Sequence, residues 1–334
     1  MKITKQDLSL IPEMDFIKFE PLSYQTKVTA WNGGLSRVVA VLTIDGEINK
    51  ECIISKKVFQ VIKRLIGKAD DINISVTKTF NVSSPAGNYR GAIVDNIMDP
   101  NYSLDVESMK EYPFPSGVIS RAVEYANPGH KNPTLTGVNI GENGVVATDS
   151  FKFYMYGAAN DDVSNIICDI GFLKQAAKNE FKSIKSNGHQ VVIVDNKGIQ
   201  WSSNLIDGRY PSCQKILANK GELLDLPLND IIPIIETAVF TLDEIKETDD
   251  GAKFKGIVNF VCKNNKLVIS TDKFENEVEV KDCKDFKFSI FAKHAALMCG
   301  VEIKGIYFKN SKLPIMIEGR ENENLIFNLI NRGE

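Results

Sequence analysis

The sequence predicts an α+β protein of three repeated domains, each with helices packed on antiparallel sheets. Three observations point there. The chain has 334 residues, more than the ~100 to 200 that one core usually serves. An alternating apolar block, an amphipathic helix and a second alternating block recur in that order three times, with a period of ~110 residues, far beyond the ~20 to 50 of solenoid repeats. Composition is that of a folded soluble chain throughout, 43% apolar and 25% charged, with no low-complexity tract.

In chain order, the first copy opens on Thr4 to Glu13, which leaves room only for a short helix. Two alternating strands joined by a polar turn are then expected in Phe16 to Leu42, again in Leu135 to Tyr156, and again in Phe254 to Val280. The expected turns are Ala30-Trp31-Asn32-Gly33, Ala147-Thr148-Asp149-Ser150 and Ser270-Thr271-Asp272-Lys273. Helical spacing follows each block, over Ser55 to Ile66, Gly171 to Phe181 and Phe291 to Cys299, with Val58, Ile62 and Leu65 sharing a face in the first. Two more strands follow each helix: Ile72 to Val82 with Tyr89 to Ile97, Val191 to Val194 with Ile199 to Ile206, and Gly305 to Phe308 with Pro314 to Asn328.

Copies two and three also begin with an amphipathic helix, striped by Ile119, Val123 and Ala126 and by Ile231, Ile235 and Val239. Pro115 and Pro227 suit a helix start, whereas Pro233 requires the second of these helices to start late or to hold a proline in its first turn. Apolar periodicity lapses near Leu104 to Glu111 and Leu217 to Leu224. Domains of residues 1–108, 109–219 and 220–334 result.

No enzyme class is supported. The three histidines, His130, His189 and His294, lie in no nucleophile-and-base context. There is no phosphate-cradling GxxxxGK[ST], and Gly137, Gly141 and Gly144 read as turns. Asp161-Asp162 and Asp249-Asp250 read as solvated loops, so neither a metal nor a cofactor is expected. The six cysteines are scattered without a CxxC and read as small buried hydrophobes. The opening MKITKQDLSLIPEMDF has no signal-peptide character and no run approaches the ~18 apolar residues of a membrane span, which predicts a cytoplasmic protein with no membrane partner.

Net charge is −3, so any contact with nucleic acid requires basic residues segregated on one surface. Lys174, Lys178, Lys182 and Lys185 stand at i, i+4, i+8 and i+11 of the expected second-copy helix, a stripe whose mutual repulsion costs a few tenths of a kcal/mol per pair, about what a facing polyanion reverses. The first-copy helix carries Lys56, Lys57, Lys63 and Arg64 opposite Val58 and Ile62, and the third offers Lys293 with His294. For any one helix a plainly solvated lysine face explains the pattern as well.

Ser203 to Pro211, SNLIDGRYP, closely resembles the S-x-L-[IV]-D-G-[RK]-[FY]-P signature late in the second domain of bacterial β sliding clamps, the β subunit of DNA polymerase III. Upstream, Leu135-Thr136-Gly137-Val138 and Val146-Ala147-Thr148-Asp149-Ser150 resemble that family's L-[NT]-G-[VI] and [VA]-A-T-D-[GS] elements. Weaker echoes are Pro314 to Glu318 and Ile53 to Phe59. The resemblance implies three clamp domains per chain and a head-to-tail homodimeric ring around duplex DNA. It implies a non-catalytic processivity factor that tethers the polymerase and also receives the clamp loader and other clamp-motif peptides.

On that resemblance, sequence-independent DNA contacts fall to Lys56, Lys57, Lys63, Arg64, Arg121, Lys174, Lys178, Lys182 and Lys293, with His130 and Lys131 in the loop Gly129 to Asn132. A partner-peptide pocket falls to Thr148, Ser150, Phe153, Pro211, Ile216, Ile315 and Leu329, with Lys152 and Lys215 where the family carries arginines. Ring closure falls to strand pairing near Ala92 and Ile93 and to apolar contacts from Val239 and Phe240. The ending Leu329-Ile330-Asn331-Arg332-Gly333-Glu334 departs from the family's Met-Pro-[MV]-[RK]-[LI], a divergence that suits a phage or mobile-element clamp. The rival reading is a duplicated α+β protein-interaction or ligand-binding protein that never encircles DNA.

Overall fold

Ten elements in the order β-α-ββββ-α-βββ recur three times along the chain. The first set is β1 (Lys2–Thr4), α1 (Lys5–Leu10), β2 (Phe16–Leu22), β3 (Gln25–Trp31), β4 (Val39–Asp45), β5 (Cys52–Ser55), α2 (Lys56–Ile66), β6 (Asp71–Val76), β7 (Phe80–Ser84) and β8 (Gly87–Gly91). The second is β9 (Lys110–Tyr112), α3 (Ser116–Val123), β10 (Gly137–Ile140), β11 (Gly144–Thr148), β12 (Lys152–Gly157), β13 (Ile166–Asp169), α4 (Ile170–Ala176), β14 (Ile184–Ser186), β15 (Gln190–Val194) and β16 (Gln200–Asn204). The third is β17 (Glu222–Leu224), α5 (Leu228–Thr241), β18 (Ile257–Lys263), β19 (Lys266–Ser270), β20 (Glu275–Glu279), β21 (Phe286–Phe291), α6 (Ala292–Cys299), β22 (Ile303–Phe308), β23 (Ile315–Gly319) and β24 (Glu323–Phe327). This computed structural model describes residues 1–33, 38–67, 69–95, 97, 104–158, 165–213, 217–218, 220–242, 256–281, 283–319 and 322–330.

Each alternating block therefore holds one more strand than the sequence suggests. Two of the missed turns are tight and use left-handed backbone: Tyr24 at φ 66° between β2 and β3, and Asn264 and Asn265 at φ 52° and 60° between β18 and β19. The brief first helix is α1, where Thr4 and Asp7 form a reciprocal capping box. Pro233 sits in the interior of α5, not in its first turn. It removes one backbone donor there, and the helix persists on the buried stripe Ile231, Ile235 and Ala238.

Contacts divide the chain into two compact units, Met1–Val123 with Ile166–Asp207, and Glu124–Asn165 with Gly208–Glu334. In the first unit an eight-stranded antiparallel sheet runs β5-β2-β3-β4-β16-β15-β14-β9, and a four-stranded one runs β1-β6-β7-β8. Helix α2 lays Val58, Phe59, Ile62 and Ile66 into the core, where Phe19 and Phe80 rings meet at 5.7 Å. Helices α3 and α4 pack on each other. In the second unit β10-β11-β12-β24-β23-β22-β17 lie side by side and β20-β19-β18-β21 form a separate sheet, with α5 packed on α6.

One join recurs in both units. The last strand of a hairpin in one copy pairs with the last strand of the next copy: β4 with β16, through Ala40 opposite Trp201, and β12 with β24, through Tyr154 opposite Leu325. Among the described residues the equivalent strands with no such neighbour are β20, at one edge of its sheet, and β8, at one edge of its own.

Candidate functional site

The expected lysine stripe on α4 is not continuous. Asp169 caps that helix by accepting the Phe172 N–H at 3.0 Å, and the helix ends at Ala176. Beyond it the chain is drawn away by the turn at Asp195, whose carboxylate accepts the Asn179 side chain at 2.7 Å, while the Asn196 N–H donates to the Glu180 carbonyl. Lys174 lies in the last helical turn, Lys178 just past it with its ammonium on Gln175 Oε1 at 2.8 Å, Lys182 in the following segment and Lys185 on β14. Lys174, Lys178 and Lys182 remain exposed, but no single helix aligns them.

On α2 the basic residues do share one helix. Lys56, Lys57 and Arg64 are exposed and Lys63 is half-buried. The Glu13 carboxylate lies 3.9 Å from the Lys56 ammonium and 3.7 Å from that of Lys63. A hydrogen bond from Gln60, then these two lysines, hold Glu13 below the usual carboxylate range, so part of the α2 charge is offset. Arg121 is half-buried in the last turn of α3. In the loop ahead of β10, His130 accepts the Asn132 N–H on Nδ1 at 3.0 Å and Lys131 is exposed.

The third-copy helix α6 supplies no comparable cation pair. Lys293 is half-buried, and burial followed by the nearby Lys152 ammonium pulls it below the ordinary lysine value. His294 is 1% exposed and stacks on Phe327 with ring centres 5.2 Å apart, edge-on to Phe291 at 5.5 Å. Burial, then Lys293, lowers it to about 4, so it is neutral at pH 7 and corrects the expectation of a basic residue there.

Around the ATDS turn the structure separates residues that are neighbours in sequence. Thr148 donates its hydroxyl to the Lys152 carbonyl at 2.7 Å, and Ser150 takes a left-handed φ of 75°. Asp149 accepts the N–H groups of Phe151 and Lys152 at 3.0 and 2.9 Å, and the Lys152 ammonium at 3.0 Å. Burial alone would raise this carboxyl, but Lys152 and the two N–H groups outweigh it and hold it below its ordinary value. The Lys152 ammonium also donates to the Glu124 carbonyl at 2.7 Å and lies over the Tyr125 ring at 5.7 Å. Lys152 is thus an internal counter-charge, not a pocket cation.

Strand period explains the separation, since neighbours along a strand face opposite sides. Lys152, Phe327 and Ile315 line up across β12, β24 and β23, as do Phe153, Ile326 and Met316 one residue on. The second row belongs to an apolar cluster of Val146, Phe153, Met155, Cys213, Met316 and Ile326, against which the only partly buried Tyr210, Leu217 and Tyr307 pack. Phe153 is in this cluster; Ile315, on the other face, is core. Tyr210 accepts the Thr148 N–H at 2.9 Å and so holds the cluster's rim to the turn. At the far rim the Lys220 ammonium sits 3.8 Å over the Tyr307 ring, and the Tyr307 hydroxyl donates to Glu318 at 2.7 Å. Bonds from Tyr307, Lys304 and Lys220 pull Glu318 down to about 2.

Pro211 is exposed and Leu329 half-buried, while Lys215 and Ile216 lie outside the described residues. Phe151, absent from the residues expected on sequence, is 62% exposed. It is held beside Asn328, whose N–H donates to the Phe151 carbonyl and whose side chain donates to the Ser150 carbonyl at 3.0 Å. Ala92 and Ile93 follow directly on edge strand β8, and Phe240, near the end of α5, is 72% exposed beside the half-buried Val239. Gly208 of the SNLIDGRYP segment has φ 131°, and a Cβ there would meet the Thr134 methyl at 2.7 Å, so only glycine fits. Among the described residues no group of three or more His, Cys, Asp or Glu could hold a metal ion, and no helix is long and apolar enough to cross a membrane.

No family model matches the chain, and no curated protein matches it by sequence. Solved structures do match it over nearly its whole length. A Helicobacter pylori beta clamp bound to a DNA ligase peptide is 15% identical with a TM-score of 0.76, covering 99% of both chains. The DNA polymerase sliding clamp of Caulobacter crescentus is 12% identical with a TM-score of 0.75, and that of Bacillus subtilis 15% with 0.73, each again covering 99% of both chains. From end to end, this chain has the fold of the bacterial DNA polymerase sliding clamps.

Proposed function

We propose that two copies of this chain close head to tail around duplex DNA and act as a non-catalytic processivity clamp, tethering a polymerase and other peptide-motif partners. The observation that carries this reading is the pair of open edges. Domains 1–108, 109–219 and 220–334 each follow the same element order, and each join between neighbours uses equivalent strands. Extending the rule once more pairs β20 of one copy with β8 of the second, and the reciprocal pair shuts the ring. Charge favours the match: β20 carries Glu275, Glu277 and Glu279, and β8 carries Arg90. Ala92, Ile93, Val239 and Phe240 supply the apolar part of that closure.

Retention then comes from threading, with DNA touched through sequence-blind phosphate contacts. Lys57, Arg64, Lys174, Lys178 and Lys182 are the exposed cations suited to that role, with Arg121, Lys131 and the Glu13-bridged Lys56 and Lys63 as secondary contributors. The test is retention on nicked circular against linear duplex after loading. The chain is expected to stay on circles and run off linear ends; equal retention on both would refute encirclement. Replacing Lys174, Lys178 and Lys182 by alanine is expected to flatten the salt dependence by ~0.9 in log–log slope for each phosphate no longer neutralised.

The cluster around Phe153 is the proposed peptide site. A related clamp of the same fold is bound to a DNA ligase peptide. In this chain the cluster's partly buried rim of Tyr210, Leu217 and Tyr307 leaves apolar area for one or two partner side chains, each contributing ~1.5 to 3 kcal/mol when fully buried. Leu217→Asp is expected to weaken a clamp-binding peptide at least ~10-fold, by the loss of ~1.4 kcal/mol or more, with the chain still folded by circular dichroism. Undiminished binding by titration calorimetry would move the site elsewhere.

A further inference from the structure

On one face of the sheet Phe153, Ile326, Met316 and Tyr307 stand opposite one another across β12, β24, β23 and β22. Two residues along the strands, roughly 7 Å on, the same face carries Met155, Asn324 and Glu318. The surface therefore turns from apolar to polar within one strand repeat. A cavity of about 500 Å³ opens at the polar end, with Gly157, Glu318, Asn324, Lys220 and Lys304 in its lining.

Two cations meet one carboxylate there. Lys304 is the extra residue of a bulge, since Ile303 pairs with Gly319 and Gly305 with the adjacent Glu318. A bulge re-aims a side chain, and the Lys304 ammonium donates to Glu318 Oε1 at 3.0 Å. Lys220, ahead of β17, donates to Oε2 at 3.0 Å, and the Tyr307 hydroxyl donates to the same oxygen at 2.7 Å. Glu318 thus accepts three of the about four bonds a carboxylate can take, which leaves little room for a basic guest. An ammonium has three donors, and the Lys304 and Lys220 side chains are 65% and 41% exposed, so both can serve an anion as well. Glu323 also lines the cavity, but it is 2% exposed and accepts the Tyr154 hydroxyl at 2.8 Å, turned to the core.

We infer that a partner peptide anchored on the Phe153 cluster carries an acidic side chain two residues from its apolar anchor, received by Lys304 and Lys220. This rests on the proposed peptide site and adds to it a charge preference. The spacing follows from the strand repeat, because an extended peptide lying along the face advances by the same step. A neutral polar side chain at that place gains only the weaker of the two kinds of hydrogen bond, without the help of opposite charge.

The test uses two synthetic peptides that share a leucine–phenylalanine anchor and differ only in carrying aspartate or asparagine two residues to either side of it. Each is titrated into the full chain by fluorescence anisotropy. The aspartate peptide is expected to bind about fivefold more tightly, the scale of half-exposed ion pairs, and its advantage to shrink in high salt. Lys304→Gln is expected to reduce that advantage and Lys304→Glu to abolish it, whereas Leu217→Asp is expected to weaken both peptides alike. Equal affinities in the unmodified sequence, or an aspartate preference that Lys304→Glu leaves intact, would overturn the inference while the apolar site stands. Failure of both peptides to bind would overturn the peptide site itself, and this inference with it.

Discussion

Replacing Lys152 by methionine is expected to destabilise the fold by about 3 kcal/mol, within the ~3 to 5 kcal/mol typical when one partner of a buried pair is removed. Asp149 would keep its bonds from the backbone N–H groups of residues 151 and 152, which places the cost at the low end, but it would lose the ammonium 3.0 Å away. The Glu124 carbonyl would also lose its donor. Combining Lys152→Met with Asp149→Asn is expected to recover more than half of the loss, because the stranded charge is then gone while the acceptor oxygen for the turn remains. Urea unfolding of the three variants measures this. A loss below about 1 kcal/mol for Lys152→Met would show a pair screened by solvent as surface pairs are.

His294→Phe is expected to stabilise the protein and to remove part of its acid sensitivity. Among the described residues both ring nitrogens of His294 are buried without a hydrogen-bond partner, a cost of ~1 to 3 kcal/mol that a phenyl ring between Phe327 and Phe291 avoids. The pH dependence has a definite sign. His294 titrates near 4 in the folded chain and at 6.5 as a free side chain, so between those values the unfolded chain binds a proton that the folded chain refuses. The stability due to the neutral ring is complete above pH 6.5 and lost as pH falls to 4, a total of about 3 kcal/mol at ~1.4 kcal/mol per pH unit. Lys293 and Lys152 oppose protonation, and Asp149 favours it. The stability difference between His294→Phe and the parent is expected to widen from pH 7 to pH 4.5. A constant difference would mean that the imidazole finds water or a partner on protonation.

Helices α2 and α6 begin within one residue of where apolar spacing puts them, because in each the buried face repeats at helical period up to a strand on one side and a glycine, Gly67 or Gly300, on the other. The extra strands could not be read in the same way. A turn at Tyr24 interrupts neither charge nor hydropathy, and its left-handed backbone is a property of the hairpin, not of the residue. The SNLIDGRYP and ATDS segments, 62 residues apart at Thr148 and Tyr210, are bonded to each other in the fold. The composition of the apolar cluster was beyond reach: Met316 and Ile326 join Phe153 only through the sheet order β12-β24-β23, which no local pattern encodes. Strand alternation alone could have shown that Lys152 and Phe153 face opposite ways. The buried state of His294 had no such signal.

The joins between copies are made of main chain. Ala40 faces Trp201 and Tyr154 faces Leu325 across ladders whose hydrogen bonds belong to the peptide groups, so the geometry of each seam tolerates almost any pair of side chains that prefer extended backbone. Substitutions can accumulate on both flanks without shifting one copy against the next. Such an architecture keeps its path through space while nearly every letter changes, as in solved clamp structures that share this fold at only 12 to 15% identity.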